Sequence, residues 1–287
     1  MEDLTNRGRL LISCPDQPGI VASVAGVLFE NGANIVHSDQ HSTDPSGGLF
    51  FMRVEFELPR LPEVLPRLER AFAPVAQQFA MTWRIARAGI PKRLAIFVTR
   101  EDHCLQEILW QNRAGDLDAR IAMVVSNRTV LEPVARTWGI PFHYVPVSPD
   151  AKLEAERKQM ALIEDQADVV VLARYMQILS EEFVEKWRNR IINIHHSFLP
   201  AFAGANPYRQ AYERGVKLIG ATAHYVTSDL DAGPIIEQDV VRVDHRHSIE
   251  DLRRVGRYIE RMVLARALKW HVEDRILVHG NKTVVFP

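Results

Sequence analysis

Cysteine is scarce in this chain. Cys14 and Cys104 are its only two, each inside an apolar run, and thiols so placed suit a reduced core better than a disulfide framework. No apolar run reaches the roughly 20 residues that a membrane-crossing helix needs. The opening Met1-Glu2-Asp3-Leu4-Thr5-Asn6-Arg7 lacks the basic stretch and apolar core of a secretory leader, so the expectation is a cytoplasmic chain with no membrane partner. An excess of one charge is missing too. Lys and Arg number 35 against 36 Asp and Glu, a formal net charge of -1, which leaves no basic field to hold nucleic acid. Low-complexity tracts and internal repeats are absent. What is present, 287 residues of which 47% are hydrophobic, is enough for two globular domains working on small molecules.

Residues 9–14 read as a buried strand, and Asp16-Gln17-Pro18-Gly19 as a turn into a helix that runs to Glu30 and stops at Asn31-Gly32. Strand patterns over 34–42 and 49–58 flank the turn-rich Asp44-Pro45-Ser46-Gly47-Gly48, a hairpin signal. A helix over 62–79 places Val64, Leu65, Leu68, Phe72 and Val75 on one face, and a strand over 81–87 follows. The order βαββαβ is that of a ferredoxin-like module. With Asp16-Gln17-Pro18-Gly19-Ile20-Val21 before its first helix and Asn31-Gly32-Ala33-Asn34-Ile35 after it, the module resembles an ACT domain. The resemblance implies a small amino-acid effector held near Asp16, Pro18, Gly19, Ile20 and Asn34, and a homo-oligomer, dimer or tetramer. A module that only joins subunits is the alternative. Gly19 has a physical motive, because a missing side chain lets a carboxylate approach the free N–H groups of a helix start.

Residues 88–91 break the pattern, so the expected domains are 1–87 and 92–287. Beyond the break, strands over 93–98, 120–126, 142–145 and 168–172 alternate with helices over 102–113, 130–138 and 150–164, as in a parallel α/β sheet. The continuous Val169-Val170-Val171-Leu172 reads as a central strand covered on both faces. In such sheets ligands gather beyond the carboxyl ends of the strands.

Ile191-Ile192-Asn193-Ile194-His195 begins as a strand, so Asn193 and His195 share a face. A strand over 220–226 runs into an acidic turn that carries Asp231 next to Ala232-Gly233-Pro234. An amide, an imidazole and a carboxylate suit acyl chemistry: two can stabilise an oxyanion and one can manage a proton. On spacing alone the trio is common in loops and singles out no reaction.

The longer strings narrow this. Asn193-Ile194-His195-His196-Ser197-Phe198-Leu199-Pro200, then His224-Tyr225-Val226-Thr227-Ser228-Asp229-Leu230-Asp231-Ala232-Gly233-Pro234-Ile235, are similar to the 10-formyltetrahydrofolate formyltransferase family. Arg174-Tyr175-Met176-Gln177-Ile178-Leu179-Ser180 resembles that family's folate-binding loop. The resemblance implies a Rossmann-like, mostly parallel α/β domain. It makes Asn193, His195 and Asp231 catalytic, and Met176, Gln177, Ile178, Leu179, Thr222, His224 and Gly233 substrate-binding. No cofactor is implied beyond the folate substrate. An ACT domain fused ahead resembles the deformylase branch, which implies hydrolysis of the formyl group. Ala203 and Asn206 depart from that branch, which commonly has lysines there, and lose any contact those lysines make.

The family grips an acceptor's phosphate with a Gly-rich turn after the first strand. Here the turn is Val98-Thr99-Arg100-Glu101-Asp102-His103, with no glycine and two acids, which disfavours a phosphorylated acceptor and leaves water. Transfer to a small amine, or a folate-binding amino-acid sensor without turnover, are the other readings. The histidines do not suggest a metal site: His195 and His196 as strand neighbours should face apart, and His245 and His247 fall near a helix start marked by Ser248 and Asp251. The helix after Ile249 is expected to cover the sheet with Arg253, Arg254, Arg257, Glu260 and Arg261 on a charged face. A hairpin around His279-Gly280-Asn281 closes the chain.

Overall fold

The computed structural model describes residues 4–44, 47–201 and 206–287. The chain folds into two compact units, one of residues 1–91 with 273–279 and 284–287, the other of residues 92–272 with 280–283.

In the first unit, β1 (Arg7–Pro15), α1 (Ile20–Glu30), β2 (Asn34–Ser42), β3 (Leu49–Glu57), α2 (Leu61–Gln78) and β4 (Thr82–Arg87) reproduce the expected order. The strands form an antiparallel sheet in the order β2-β3-β1-β4. Alternate residues of β1 and β3, including Leu10, Ile12, Met52 and Val54, meet Ile20, Val24 and Leu28 of α1 and Leu68 and Phe72 of α2 in one core. Period two on the strands and three-to-four on the helices produce this layer.

The chain's last stretch groups with this unit, although the sequence pattern places it in the second domain. The reason is a buried charge. Arg53 of β3 is 2% exposed and donates from Nε to the carbonyl of Asp274 at 3.0 Å and from Nη2 to that of Glu273 at 3.1 Å. Arg84 reaches the Asp274 carboxylate at 2.7 Å.

The second unit contains β5 (Lys92–Val98), α3 (His103–Ala114), β6 (Ala119–Ser126), α4 (Glu132–Thr137), β7 (Phe142–Tyr144), α5 (Lys152–Ile163), β8 (Val169–Leu172), α6 (Glu181–Lys186), β9 (Ile191–His195), α7 (Pro207–Arg214), β10 (Leu218–Tyr225), β11 (Ile235–Arg242) and α8 (Ile249–Val272). Its seven-stranded sheet has the order β11-β10-β9-β8-β5-β6-β7. Strands β5 to β9 pair in parallel, and β10 is antiparallel to both β9 and β11. Helix α8 starts with the reciprocal cap its sequence suggests: Asp251 N–H donates to Ser248 Oγ at 3.2 Å, and Ser248 N–H to the Asp251 carboxylate at 3.0 Å. The strands β12 (Ile276–His279) and β13 (Lys282–Val285) form the expected hairpin, with Gly280 at φ 55 in its turn.

From β5 the sheet grows first toward β7 and then, from β8, in the opposite direction. The crevice beyond the carboxyl ends of β5 and β8 is therefore the topological switch point. The loops at residues 99–102 and 173–180 open there.

Candidate active site

A cavity of about 490 Å³ lies beyond β8 and β9. Asn193, His195, His224 and Asp231 line it, as do Met176, Gln177, Ile178 and Leu179 from the loop after β8. Met176, Ile178 and Leu230 are exposed apolar side chains on its lining and offer flat hydrophobic surface to an aromatic ligand. Thr99 at the end of β5 fixes the loop after β8, its hydroxyl accepting from Met176 N–H at 3.1 Å.

Register brings the polar groups together. In the β9–β10 pair His224 stands opposite Asn193 and Thr222 opposite His195, so neighbouring side chains project from one sheet face. The Asn193 amide lies 3.2 Å from His224 Nε2, and His224 Nδ1 lies 2.9 Å from the carbonyl of Tyr225. A carbonyl only accepts, so Nδ1 of His224 carries the proton and its Nε2 accepts from Asn193. Burial pushes the His224 pKa down and keeps the ring neutral, although the bond to Tyr225 opposes that shift.

Asp231 is in the left-handed region at φ 54. That backbone region is unfavourable by about 1–3 kcal/mol for a residue other than glycine, and it aims the carboxylate at the imidazoles. Asp231 Oδ2 is 3.3 Å from His195 Nδ1, and Oδ1 is 3.8 Å from His224 Nε2. The hydrogen bond from His195 holds the Asp231 carboxyl below its ordinary range, against the opposing effect of burial. With Nδ1 committed to Asp231, His195 Nε2 is buried and has no hydrogen-bond partner among the described residues. A buried, unpaired ring nitrogen on a cavity wall is suited to a ligand atom.

Two residues expected to bind substrate do not line the cavity. Thr222 is fully buried, and its hydroxyl accepts from Leu199 N–H at 3.0 Å and from Gln238 at 2.9 Å while donating to the Ser197 carbonyl at 2.8 Å. It fixes the loop after His195. Gly233 has no room for a side chain, since a Cβ there would collide with the Tyr225 carbonyl. It lets the loop carrying Asp231 close against the end of β10.

His196 also differs from expectation. The strand ends at His195, alternation lapses, and both rings line the cavity with centroids 5.2 Å apart. Burial, helped by the nearby Arg174 cation, lowers the His196 pKa to about 4, so that ring is neutral at physiological pH. Glu260 is not on a solvated face but 1% exposed. Asn206, at φ 57, lines the cavity, while Ala203 lies outside the described residues. His103, Cys104 and Glu260 bring three ligand-type atoms within 4.8 Å. The Arg174 guanidinium, 3.5 Å from Glu260, makes that spot unfavourable for a cation.

In the first unit, Gly19 adopts φ 93 at the start of α1, and Asp16 accepts a hydrogen bond from the Ser42 hydroxyl of β2. Pro18 and Asn34 are exposed. Ile20 is 2% exposed with its side chain in the core, so only its backbone faces the turn.

The Formyl transferase family model matches residues 92–268, and the ACT domain model residues 8–73. Over 282 residues the chain is 58% identical to the formyltetrahydrofolate deformylase of Bacillus subtilis, a match covering 98% of this chain and 94% of that protein. A formyltetrahydrofolate deformylase of Pseudomonas syringae, known from its crystal structure, superposes with a TM-score of 0.94 at 51% identity, over 98% of this chain and 94% of that one. The glycinamide ribonucleotide transformylase 1 of Symbiobacterium toebii matches with a TM-score of 0.65 at 32% identity, over 69% of this chain and 95% of its own. The transformylase thus shares about two-thirds of the architecture, whereas the deformylases share both the ACT module and the formyltransferase module in the same order. With an amide, three imidazoles and a carboxylate gathered in its cavity, the chain belongs to the formyltetrahydrofolate deformylase family.

Proposed function

We propose that this protein hydrolyses 10-formyltetrahydrofolate to formate and tetrahydrofolate. The observation that carries the reading is His195: one ring nitrogen faces Asp231, and the other is buried and unpaired among the described residues, in the cavity that Asn193 also lines. The pteridine and benzoyl rings lie against Met176, Ile178 and Leu179, and the formyl carbon sits before Asn193 and His195.

Asp231 positions a water molecule and takes its proton as the new C–O bond forms. The formyl oxygen becomes an oxyanion held by the Asn193 amide N–H and by the imidazolium of His195, whose Nδ1–H stays on Asp231 while its Nε2–H faces the oxyanion. Collapse breaks the bond from carbon to N10 and returns a proton to that nitrogen, and formate and tetrahydrofolate leave. His224, neutral and bonded to Asn193, orients the amide.

The protein works in the cytoplasm and needs no cofactor beyond the folate. A small amino acid bound at Asp16, Pro18, Gly19, the backbone of Ile20 and Asn34 modulates it, in a homodimer or homotetramer. The test is the product profile of purified protein given 10-formyltetrahydrofolate and water alone. Stoichiometric formate and tetrahydrofolate are expected, and tetrahydrofolate appearing only when an amine is added would overturn the assignment.

A further inference from the structure

Beside His196 the second unit contains a buried ionic cluster that the reaction above does not use. Glu260 of α8 accepts from the Tyr208 hydroxyl at 2.6 Å, and its other oxygen lies 2.8 Å from His103 Nε2 and 3.5 Å from Arg174 Nε. Burial alone would raise the Glu260 pKa, but the hydrogen bond from His103 and the positive charge of Arg174 bring it down to about 2. The cluster therefore holds a carboxylate at every physiological pH. The Tyr208 ring is 5.8 Å from that of His196, whose ring is in turn 5.2 Å from that of His195. Arg174 itself lines the cavity.

Two features show that this filling is specific. Arg174 occupies the left-handed region at φ 62, which glycine adopts freely and a long side chain does not. Its side chain is only 13% exposed; its Nε is ion-paired with Glu260 at 3.5 Å, and its Nη1 is buried without a hydrogen-bond partner among the described residues. Tyr208 reaches Glu260 only because position 256 is glycine, since a Cβ there would overlap the Tyr208 hydroxyl. Backbone strain and an unpaired donor are both unfavourable for folding, which points to a role in the cavity.

The fold does not by itself forbid an amine. The Symbiobacterium toebii protein, a glycinamide ribonucleotide transformylase by name, shares this architecture at a TM-score of 0.65. An amine reaching the formyl carbon would form a C–N bond, lose a proton to Asp231 and leave N10 protonated, using the same residues that activate water.

We infer that Arg174, held by Glu260 with Tyr208 and His103 behind it, takes up cavity space an amine acceptor would need and thereby restricts the attacking group to water. Each partner neutralises the other, so the pair presents no free cation to an acceptor's phosphate, and Glu101, 3.7 Å from His103, adds a repelling charge. Water is small and neutral enough to pass.

This inference rests on the hydrolytic reading, and its test separates the two. Arg174→Gly opens the cavity wall, Glu260→Gln removes the charge that would otherwise be left uncompensated, and glycine suits the backbone at 174. Wild type and the double variant are given 10-formyltetrahydrofolate with glycinamide ribonucleotide, and the ratio of formylated amine to free formate is measured per tetrahydrofolate released. The ratio is expected to rise roughly tenfold or more in the variant, since opening a filled site removes a steric and electrostatic rejection. An unchanged ratio in an active variant overturns the inference, as a purely structural role for the cluster would leave partitioning alone. Should the variant be insoluble or inactive, wild type decides: its tetrahydrofolate release should be unaffected by millimolar ribonucleotide, and competitive inhibition would show the acceptor's room to be open. Absence of tetrahydrofolate release from wild type in water alone would instead refute the hydrolytic reading.

Discussion

His195 shares its Nδ1 side with Asp231, at 3.3 Å from the carboxylate, and its other ring nitrogen is buried and unpaired among the described residues. The carboxylate orients the ring, much as an orienting acid does in other acyl-transfer sites. Asp231→Asn should therefore lower kcat by roughly 100-fold to 10,000-fold. Folate binding, followed by fluorescence titration, should change little, and an Asn variant that still turns over would remove Asp231 from the proton transfer.

Asn193 offers an N–H to developing charge while its partner His224 holds the amide in place. Loss of one such donor costs about 100-fold to 1,000-fold in kcat. Asn193→Ala is expected to show that loss with KM nearly unchanged. A rise in KM at constant kcat would mean that the amide binds ground-state folate instead.

Two helix glycines predict opposite outcomes. Gly256 is pressed against Tyr208, whereas a Cβ at Gly26 in α1 meets nothing within 4 Å. Gly256→Ala should cost about 1–3 kcal/mol through overpacking, and Gly26→Ala should gain about 0.5–1 kcal/mol through helix propensity. Thermal melts of the two variants check the pair, and equal shifts would contradict the packing at 256.

The pKa of Glu260 is about 2 against an ordinary value of 4.5. A carboxyl depressed on folding contributes its full stabilisation above 4.5 and loses it as pH falls toward 2. Wild type should lose stability steeply across that window, and Glu260→Gln should lack this part of the acid transition. At neutral pH the substitution leaves Arg174 without its counter-charge, at a cost of about 3–5 kcal/mol. Denaturant midpoints measured between pH 2 and pH 7 would reveal an indifferent Glu260 by parallel curves.

Local signals carry far along this chain. The alternation in Ile191–His195 puts Asn193 and His195 on one face, and the structure brings both to the cavity. Where the strand ends, period two no longer applies, and His196 lines the cavity as well. Glu260 reads as surface because it sits among arginines, yet it falls in the four-residue series Leu252, Gly256, Glu260, Leu264, all of which are buried. That spacing is visible in the sequence. Its partners are not, since Arg174, Tyr208 and His103 meet Glu260 only through tertiary folding. Thr222 and Gly233 lie in matching motif strings but serve the loops, a distinction that requires hydrogen-bond partners and close approaches to be known.

The guanidinium of Arg53, satisfied by the carbonyls of Glu273 and Asp274, makes the amino-terminal unit discontinuous in the gene. A fragment stopping at residue 91 would leave this buried guanidinium with Glu55, 2.8 Å from Nη2, but without its two carbonyl acceptors, and removing the last fifteen residues would do the same from the other end. Grafting this unit onto another protein therefore means transplanting residues from both ends of the polypeptide, with the second unit inserted between them.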